Sequence, residues 1–318
     1  MTLTPQAQTV MEQFQVRKSA AQKKKFRAWL CEELQKAGYA PVIEESKDRM
    51  SSNVAVGDPE SAELLLTAHY DTCAVLPFPN FITPRNLLVY ILYQLLICAG
   101  MFAMVFLAEF VLHSLFEGFP LWGAMLTAYG ILIFCVWWML GGRANKHTAN
   151  DNTSGVLTLL KIALALPEQE RSRVCFVFFD NEEKGMLGSA AFAKAHQKAK
   201  KETLTLNFDC VSDGDSLQLF PSRGLKKDAA ALERLEWAFA GAGCKTVEVV
   251  RGFGFYPSDN ASFKRGVGVC ALKHSRLVGW YMDRIHTGRD TVLDTENIRL
   301  LRSGVLRLLE QTVEEHPD

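Results

Sequence analysis

The chain has 318 residues, with 35 Lys plus Arg against 35 Asp plus Glu, so its formal charge is zero. That length admits one large domain or two ordinary ones, and the even balance excludes the basic excess expected of a nucleic-acid binder. The eight cysteines form no CxxC pair, and scattered thiols of this kind suit a reducing compartment better than a disulfide framework.

The first thirty residues are polar and charged, with no apolar stretch ahead of a cleavage site, so no signal peptide is expected. Residues 5–38 combine helix-forming residues with an apolar spacing at Phe26, Leu30 and Leu34 and stop at Gly38, which predicts a helix. The Lys23-Lys24-Lys25 run inside it reads as a solvated helix face. Residues 40–45, 52–57 and 63–68 read as short strands. The near-continuous apolar run Leu64-Leu65-Leu66-Thr67-Ala68 predicts a central strand buried on both faces.

The pattern then breaks. Residues 87–108 and 121–140 contain no charge, and each run is long enough to cross a bilayer core, which takes about 20 helical residues. Tyr90, Tyr93, Trp122, Trp137 and Trp138 lie near their ends, as in membrane spans, and count against a pair of apolar core helices. The link between the runs carries Glu109, His113 and Glu117, while the outer flanks carry Arg85, Arg143 and Lys146. The positive-inside rule then places both flanks, and with them both termini, on the cytoplasmic side.

Alternation of strand and helix resumes after the hairpin. Helices are predicted over 154–166, 187–200, 227–242 and 295–314, and strands over 174–179, 204–208, 267–272 and a short run at 280–285. Such alternation implies a three-layer α/β domain around a central, mostly parallel mixed sheet. The expected organisation is one discontinuous domain, 1–84 and 142–318, interrupted by a two-helix transmembrane hairpin at 85–141.

Sheets of this class carry their sites at the carboxyl ends of strands. His69-Tyr70-Asp71 follows the third strand, Asp180-Asn181-Glu182-Glu183 the 174–179 strand, and Asp209 the 204–208 strand. His286-Thr287-Gly288-Arg289-Asp290 follows the last short strand, and Asp151-Asn152-Thr153-Ser154-Gly155 enters a helix. Each alone is an ordinary loop or helix cap. Gathered at one sheet edge, the carboxylates would repel one another and lose solvation, and a divalent cation is the usual remedy. Histidine plus carboxylate ligation suits zinc, with cobalt or manganese possible.

The motifs His69-x-Asp71, Asp151-x-x-Ser154-Gly155, Glu182-Glu183-x-Gly185-x-x-Gly188-Ser189, Asp209 and His286-Thr287-x-x-Asp290-Thr291 resemble those of the co-catalytic zinc aminopeptidases, metallopeptidase family M28. That family also includes glutamate carboxypeptidases, glutaminyl cyclases and the metal-free transferrin receptors. The resemblance covers residues 20–84 and 142–318. It implies two zinc ions per chain, with Asp151 bridging both, His69 and Asp209 completing one site, and Glu183 and His286 the other. It further implies Asp71 as the orienting partner of His69, Glu182 as general base, and a cis peptide at Asp151–Asn152. Ser258, Asp259 and Asn260 resemble a substrate-contacting segment of the family, with Asn260 where an imidazole or aromatic residue is common. His113, His147, His196, His274 and His316 match no ligand position.

The function implied is a membrane-anchored zinc aminopeptidase acting on short peptides or aminoacyl substrates, in contact with the lipid bilayer and without a nucleic-acid partner. Two alternatives stand beside it: an amidase, deacylase or glutaminyl-cyclase-like enzyme acting on a lipid-borne substrate, and a catalytically inactive receptor or scaffold.

Overall fold

The computed structural model describes residues 3–240 and 245–314, so Cys244 and His316 lie outside the described residues. The N-terminal polar segment folds as two helices rather than one, α1 (Pro5–Gln13) and α2 (Ala20–Lys36). A capping box starts α2: the Ser19 side chain accepts from the Gln22 N–H, and the Gln22 side chain accepts from the Ser19 N–H. The lysine run on α2 is a correction. Lys24 and Lys25 are exposed, but Lys23 is buried and donates to Asp180 Oδ1 and Asn181 Oδ1, both at 2.7 Å. Its partners lie far along the chain, beyond the reach of a local charge pattern.

Three strands follow, β1 (Val42–Glu45), β2 (Ser52–Val56) and β3 (Leu64–His69), and β3 is buried along its whole length. Then come two long apolar helices, α3 (Leu87–Leu115) and α4 (Leu121–Gly141). The rest of the chain alternates as α5 (Gly155–Ala165), β4 (Val174–Phe179), α6 (Leu187–Ala195), α7 (Gln197–Lys201), β5 (Leu204–Phe208), β6 (Ser216–Pro221), α8 (Ala229–Phe239), β7 (Thr246–Val249), β8 (Gly266–Ser275), β9 (Gly279–Tyr281) and α9 (Thr295–Glu314). Strands β6 and β7 carry no local signal strong enough to predict them. β6 holds a buried Gln218 and ends on a proline, and β7 has four residues at a sheet edge.

The sheet runs β1-β2-β4-β3-β5-β8-β6-β7, with β9 paired to β8. Its centre, β4-β3-β5-β8, is parallel, while β1, β2 and the β6–β8 pairing are antiparallel. Side chains alternate along β3. Leu64, Leu66 and Ala68 join one cluster with Leu30 of α2, Leu160 of α5, Leu235 of α8 and Leu301 of α9. Leu65 joins a second with Phe192 of α6 and Ala199 of α7. Burying both faces of one sheet in this way makes the three layers of an α/β domain.

α3 and α4 are long and apolar enough to cross a membrane, by length and composition. Only 6% of the most apolar window of α3 and 11% of that of α4 is buried, which is not how a core helix sits. Glu109 and His113 belong to α3 and not to the link, which shrinks to residues 116–120. At the base of the pair the two chain segments run side by side. Val75 N donates to Arg143 O at 2.8 Å, Asn145 N to Cys73 O at 3.2 Å, and Ala74 bridges Ala144. The chain thus enters α3 and returns from α4 past the same point.

Replacing Lys23 by Met would leave Asp180 buried without its countercharge, a loss of about 3–5 kcal/mol. A lowered thermal unfolding midpoint in detergent is expected, with Lys24→Met unchanged as the exposed control.

Candidate metal centre

Sharp turns at strand ends bring the predicted residues together. His69 closes β3, Asp209 follows β5, Glu182 and Glu183 form a turn after β4, and Asp151 lies in the turn before α5. Asn181, Cys210 and His286 adopt left-handed backbone conformations, with φ of 57°, 55° and 61°. Each costs on the order of 1–3 kcal/mol and persists only where the surroundings over-determine it. The Asp151–Asn152 peptide is cis, as the resemblance implies. Asn152 anchors this turn by donating from Nδ2 to Phe208 O at 2.9 Å and accepting the Gly155 N–H at 2.9 Å. A Cβ at Gly155 would stand 2.2 Å from Phe208 O, so only glycine lets α5 start against β5 here.

The two oxygens of Asp151 face two imidazoles. Oδ1 lies 3.4 Å from His69 Nε2, and Oδ2 lies 3.1 Å from His286 Nε2. His69 Nε2 is also 3.4 Å from Asp209 Oδ1, and His286 Nε2 is 3.3 Å from Glu183 Oε2. Tetrahedral zinc at about 2.0–2.1 Å from each ligand separates neighbouring ligand atoms by roughly 3.3 Å, which matches these spacings. Two donor groups result, His69–Asp151–Asp209 and Asp151–Glu183–His286, and Cys73 Sγ joins the second. Among the described residues, Glu183 Oε1 and Asp209 Oδ1 are buried with no hydrogen-bond partner. A cation is what such oxygens lack, and the donor set fits one.

The electrostatics agree. Burial pushes the carboxyls of Glu182 and Glu183 well above the usual range. Burial opposes charge on His69 and His286 too, yet the surrounding carboxylates outweigh it and hold both imidazoles above their ordinary pKa. Burial also works against the charged form of Asp151, but its contacts with His286 and His69 keep its carboxyl low. Protons on two histidines here carry positive charge where the acids demand it.

Partners one step removed hold these groups in place. Asp71 Oδ1 lies 3.6 Å from His69 Nδ1 and also accepts the Glu182 N–H at 3.0 Å, while Oδ2 accepts the Glu183 N–H at 3.3 Å. It therefore ties the His69 strand to the glutamate turn. Asp290 accepts the N–H groups of Asn150 at 2.7 Å and Asp151 at 3.0 Å, and burial pushes its carboxyl up to about 8. Arg17, wholly buried in the break between α1 and α2, donates to Tyr70 O, Phe14 O and Thr153 Oγ1, which ties the N-terminus to the segments bearing His69 and Asp151.

Sequence reasoning missed three of these contributions: Cys73, Arg17 and the role of Asp290. The position of Cys73 two residues past Asp71 was the one local signal, since Arg17 and Asp290 act on partners remote in sequence. Ser258 and Asp259 are fully buried and Asn260 nearly so; Ser258 accepts from Asn207 Nδ2 at 2.9 Å, and burial pushes the Asp259 carboxyl to about 7. None of these three joins either donor group. His196 sits between Glu44 and Glu60, at 3.2 and 3.4 Å. Of the described histidines, His113, His147, His196 and His274 lie outside both donor groups.

A sequence model of peptidase family M28 matches residues 137–307, just over half of the chain. No curated protein sequence matches it. Among solved structures, the glutaminyl cyclase of Porphyromonas gingivalis is 17% identical with a TM-score of 0.58, covering 96% of each chain. The LapA aminopeptidase of Legionella pneumophila is 14% identical with a TM-score of 0.59, covering 98% of this chain and 69% of its own. A Zn-dependent exopeptidase from Parabacteroides distasonis is 17% identical with a TM-score of 0.55, covering 95% and 94%. At these identities the likeness is one of fold.

Asp290→Asn replaces one of two acceptor oxygens by a donor that would face the N–H of Asn150 or of Asp151. Zinc affinity, read by competition with a chromogenic chelator, is expected to fall by about 10–100-fold.

Proposed function

The chain belongs to peptidase family M28, and we propose that it is a membrane-anchored aminopeptidase that uses two zinc ions to release N-terminal residues from short peptides. The observation that carries the proposal is Asp151, whose two oxygens face two separate donor groups. His69 and Asp209 would hold one ion with Asp151, and Glu183 and His286 the other. Cobalt or manganese would be tolerated by the same donors.

Zinc held by these residues would polarise the scissile carbonyl and lower the pKa of water toward neutrality. The chain's own residues do the rest. Asp71 holds the turn that carries Glu182 and Glu183 through two backbone N–H groups. Glu183 thereby turns toward Asp151 and His286, and Glu182, its neighbour, takes a proton from the attacking water and delivers it to the leaving amine.

In this reading, residues 1–84 and 142–318 form one catalytic unit and 85–141 its membrane hairpin. Arg85, Arg143 and Lys146 at the base of the hairpin, against Glu109 and Glu117 toward its tip, favour a cytoplasmic catalytic domain. A second reading, an amidase or deacylase working on a lipid-borne substrate, is favoured by one observation. The cavity beside Glu183 and His286 is walled in part by Ile97, Met139 and Leu140 of the hairpin.

Glu182→Gln should retain its zinc by elemental analysis while turnover falls roughly 10²–10⁴-fold; turnover near the wild-type rate would remove Glu182 from the mechanism. Two zinc ions per chain are expected, whereas one would favour a glutaminyl-cyclase-like enzyme and none an inactive scaffold. Protease added outside intact cells should spare the catalytic domain and digest it only after lysis. Digestion in intact cells would reverse the assigned orientation.

A further inference from the structure

The donor cluster opens onto two joined cavities. The first, about 150 Å³, is lined at one end by Asp71, Cys73, Glu183 and His286 and at the other by Gln94 and Ile97 of α3 and Met139 and Leu140 of α4. The second, about 370 Å³, lies between α3 and α4 and shares Leu76, Phe78, Ile97 and Met139 with the first. None of its described lining residues carries a charge. Along α3 it extends from Tyr93 to Met104, about 16 Å at 1.5 Å per residue. Three features suit it to a flexible chain. Met101, Met104 and Met139 are adaptable walls, Gly100 leaves open space, and the first cavity, with which it shares four lining residues, leads on to Glu183 and His286.

We propose that this groove is the binding site for a long, unbranched alkyl chain carried on the acyl side of the scissile amide. This rests on the hydrolase reading above and names its substrate class. Water adds across the amide C–N bond: the carbonyl carbon keeps the hydroxyl, the amine leaves with the proton, and the alkyl chain stays with the acid. The occupant is a chain and not a folded partner, because the space of about 370 Å³ is too small for one, is lined without charge and lies between helices whose other faces are suited to lipid. A membrane-dissolved substrate would gain little from leaving lipid for such a groove, since both are apolar. The benefit is position, because the groove leads its carbonyl to Glu183 and His286.

Two sources share this chemistry, an α-amino acid with an alkyl side chain and a fatty N-acyl group. Zinc-loaded protein in detergent is assayed on four anilides: alanyl, 2-aminododecanoyl, acetyl and dodecanoyl. Because the groove positions the carbonyl, the long member of at least one pair should exceed its short member in kcat/KM by on the order of tenfold. The pair that shows the effect identifies the source. Gly100→Phe projects a ring into the groove and should reduce that long-to-short ratio at least fivefold. Gly130→Phe, on the exposed part of α4 where an added Cβ also meets nothing within 4 Å, should preserve it.

As a readout independent of turnover, a dodecanoyl anilide with a terminal diazirine should label Gly100 to Met104, and excess unlabelled dodecanoyl anilide should suppress the label where excess detergent does not. Equal use of short and long substrates, or a ratio unaltered by Gly100→Phe, overturns the groove assignment. If no anilide is hydrolysed, the hydrolase reading fails and the label alone decides the groove: suppression upholds it, and labelling insensitive to competitor overturns it.

Discussion

Asp151, Glu183 and Asp209 are gathered beside Asp71 and Asp290 where water is largely excluded, and like charges so placed repel strongly. At 4 Å and an effective dielectric of 20, a single pair is worth about 4 kcal/mol. Two histidines offset part of this, since the carboxylates around them favour their charged forms. The fold has to hold the group together against that repulsion. Cations placed at its two donor groups would turn the cost into binding energy.

The means of holding it are backbone groups and carboxylates one step removed from the donors. Strand β3 delivers His69 from the rigid centre of the sheet, and Asp71 then ties it to the glutamate turn. Asp290 grips the backbone on either side of the Asn150–Asp151 peptide, and Asn152 locks the same turn against β5. Left-handed residues at Asn181, Cys210 and His286 turn the chain sharply enough for each donor to reach the others. His69, Asp151 and Glu183 are thus each set by an element end and a second tether, which is how a charged cluster stays in one geometry.

The hairpin does not disturb this arrangement because it departs and returns at one place. Its base is stitched by Val75 with Arg143 and by Cys73 with Asn145, and Leu76 N donates to His286 O at 2.8 Å. The same segment therefore anchors the apolar helices and the loop of one proposed ligand. An insertion that could have been a remote anchor instead forms a wall of the cavity beside the donors.

The sequence alone determined the α/β class and the position of both apolar helices, and its resemblance to family M28 pointed to Asp151 and the four residues that converge on it. Apolar runs reveal buried strands and their exits, where His69, Glu183 and Asp209 lie, without any tertiary information; Asp151 and His286 were legible through the resemblance of their motifs. What escaped the sequence depends on contacts between distant segments. The burial of Lys23 against Asp180, the insertion of Arg17 beneath the Asp151 turn, the arrival of Cys73 beside Glu183 and His286, and strands β6 and β7 at one side of the sheet all follow from packing that no local pattern encodes. Tertiary structure also decided that Glu109 and His113 extend α3, and that the groove between α3 and α4 shares lining residues with the cavity beside Glu183 and His286. Composition specifies which segments avoid water; only the packed chain decides what those segments meet.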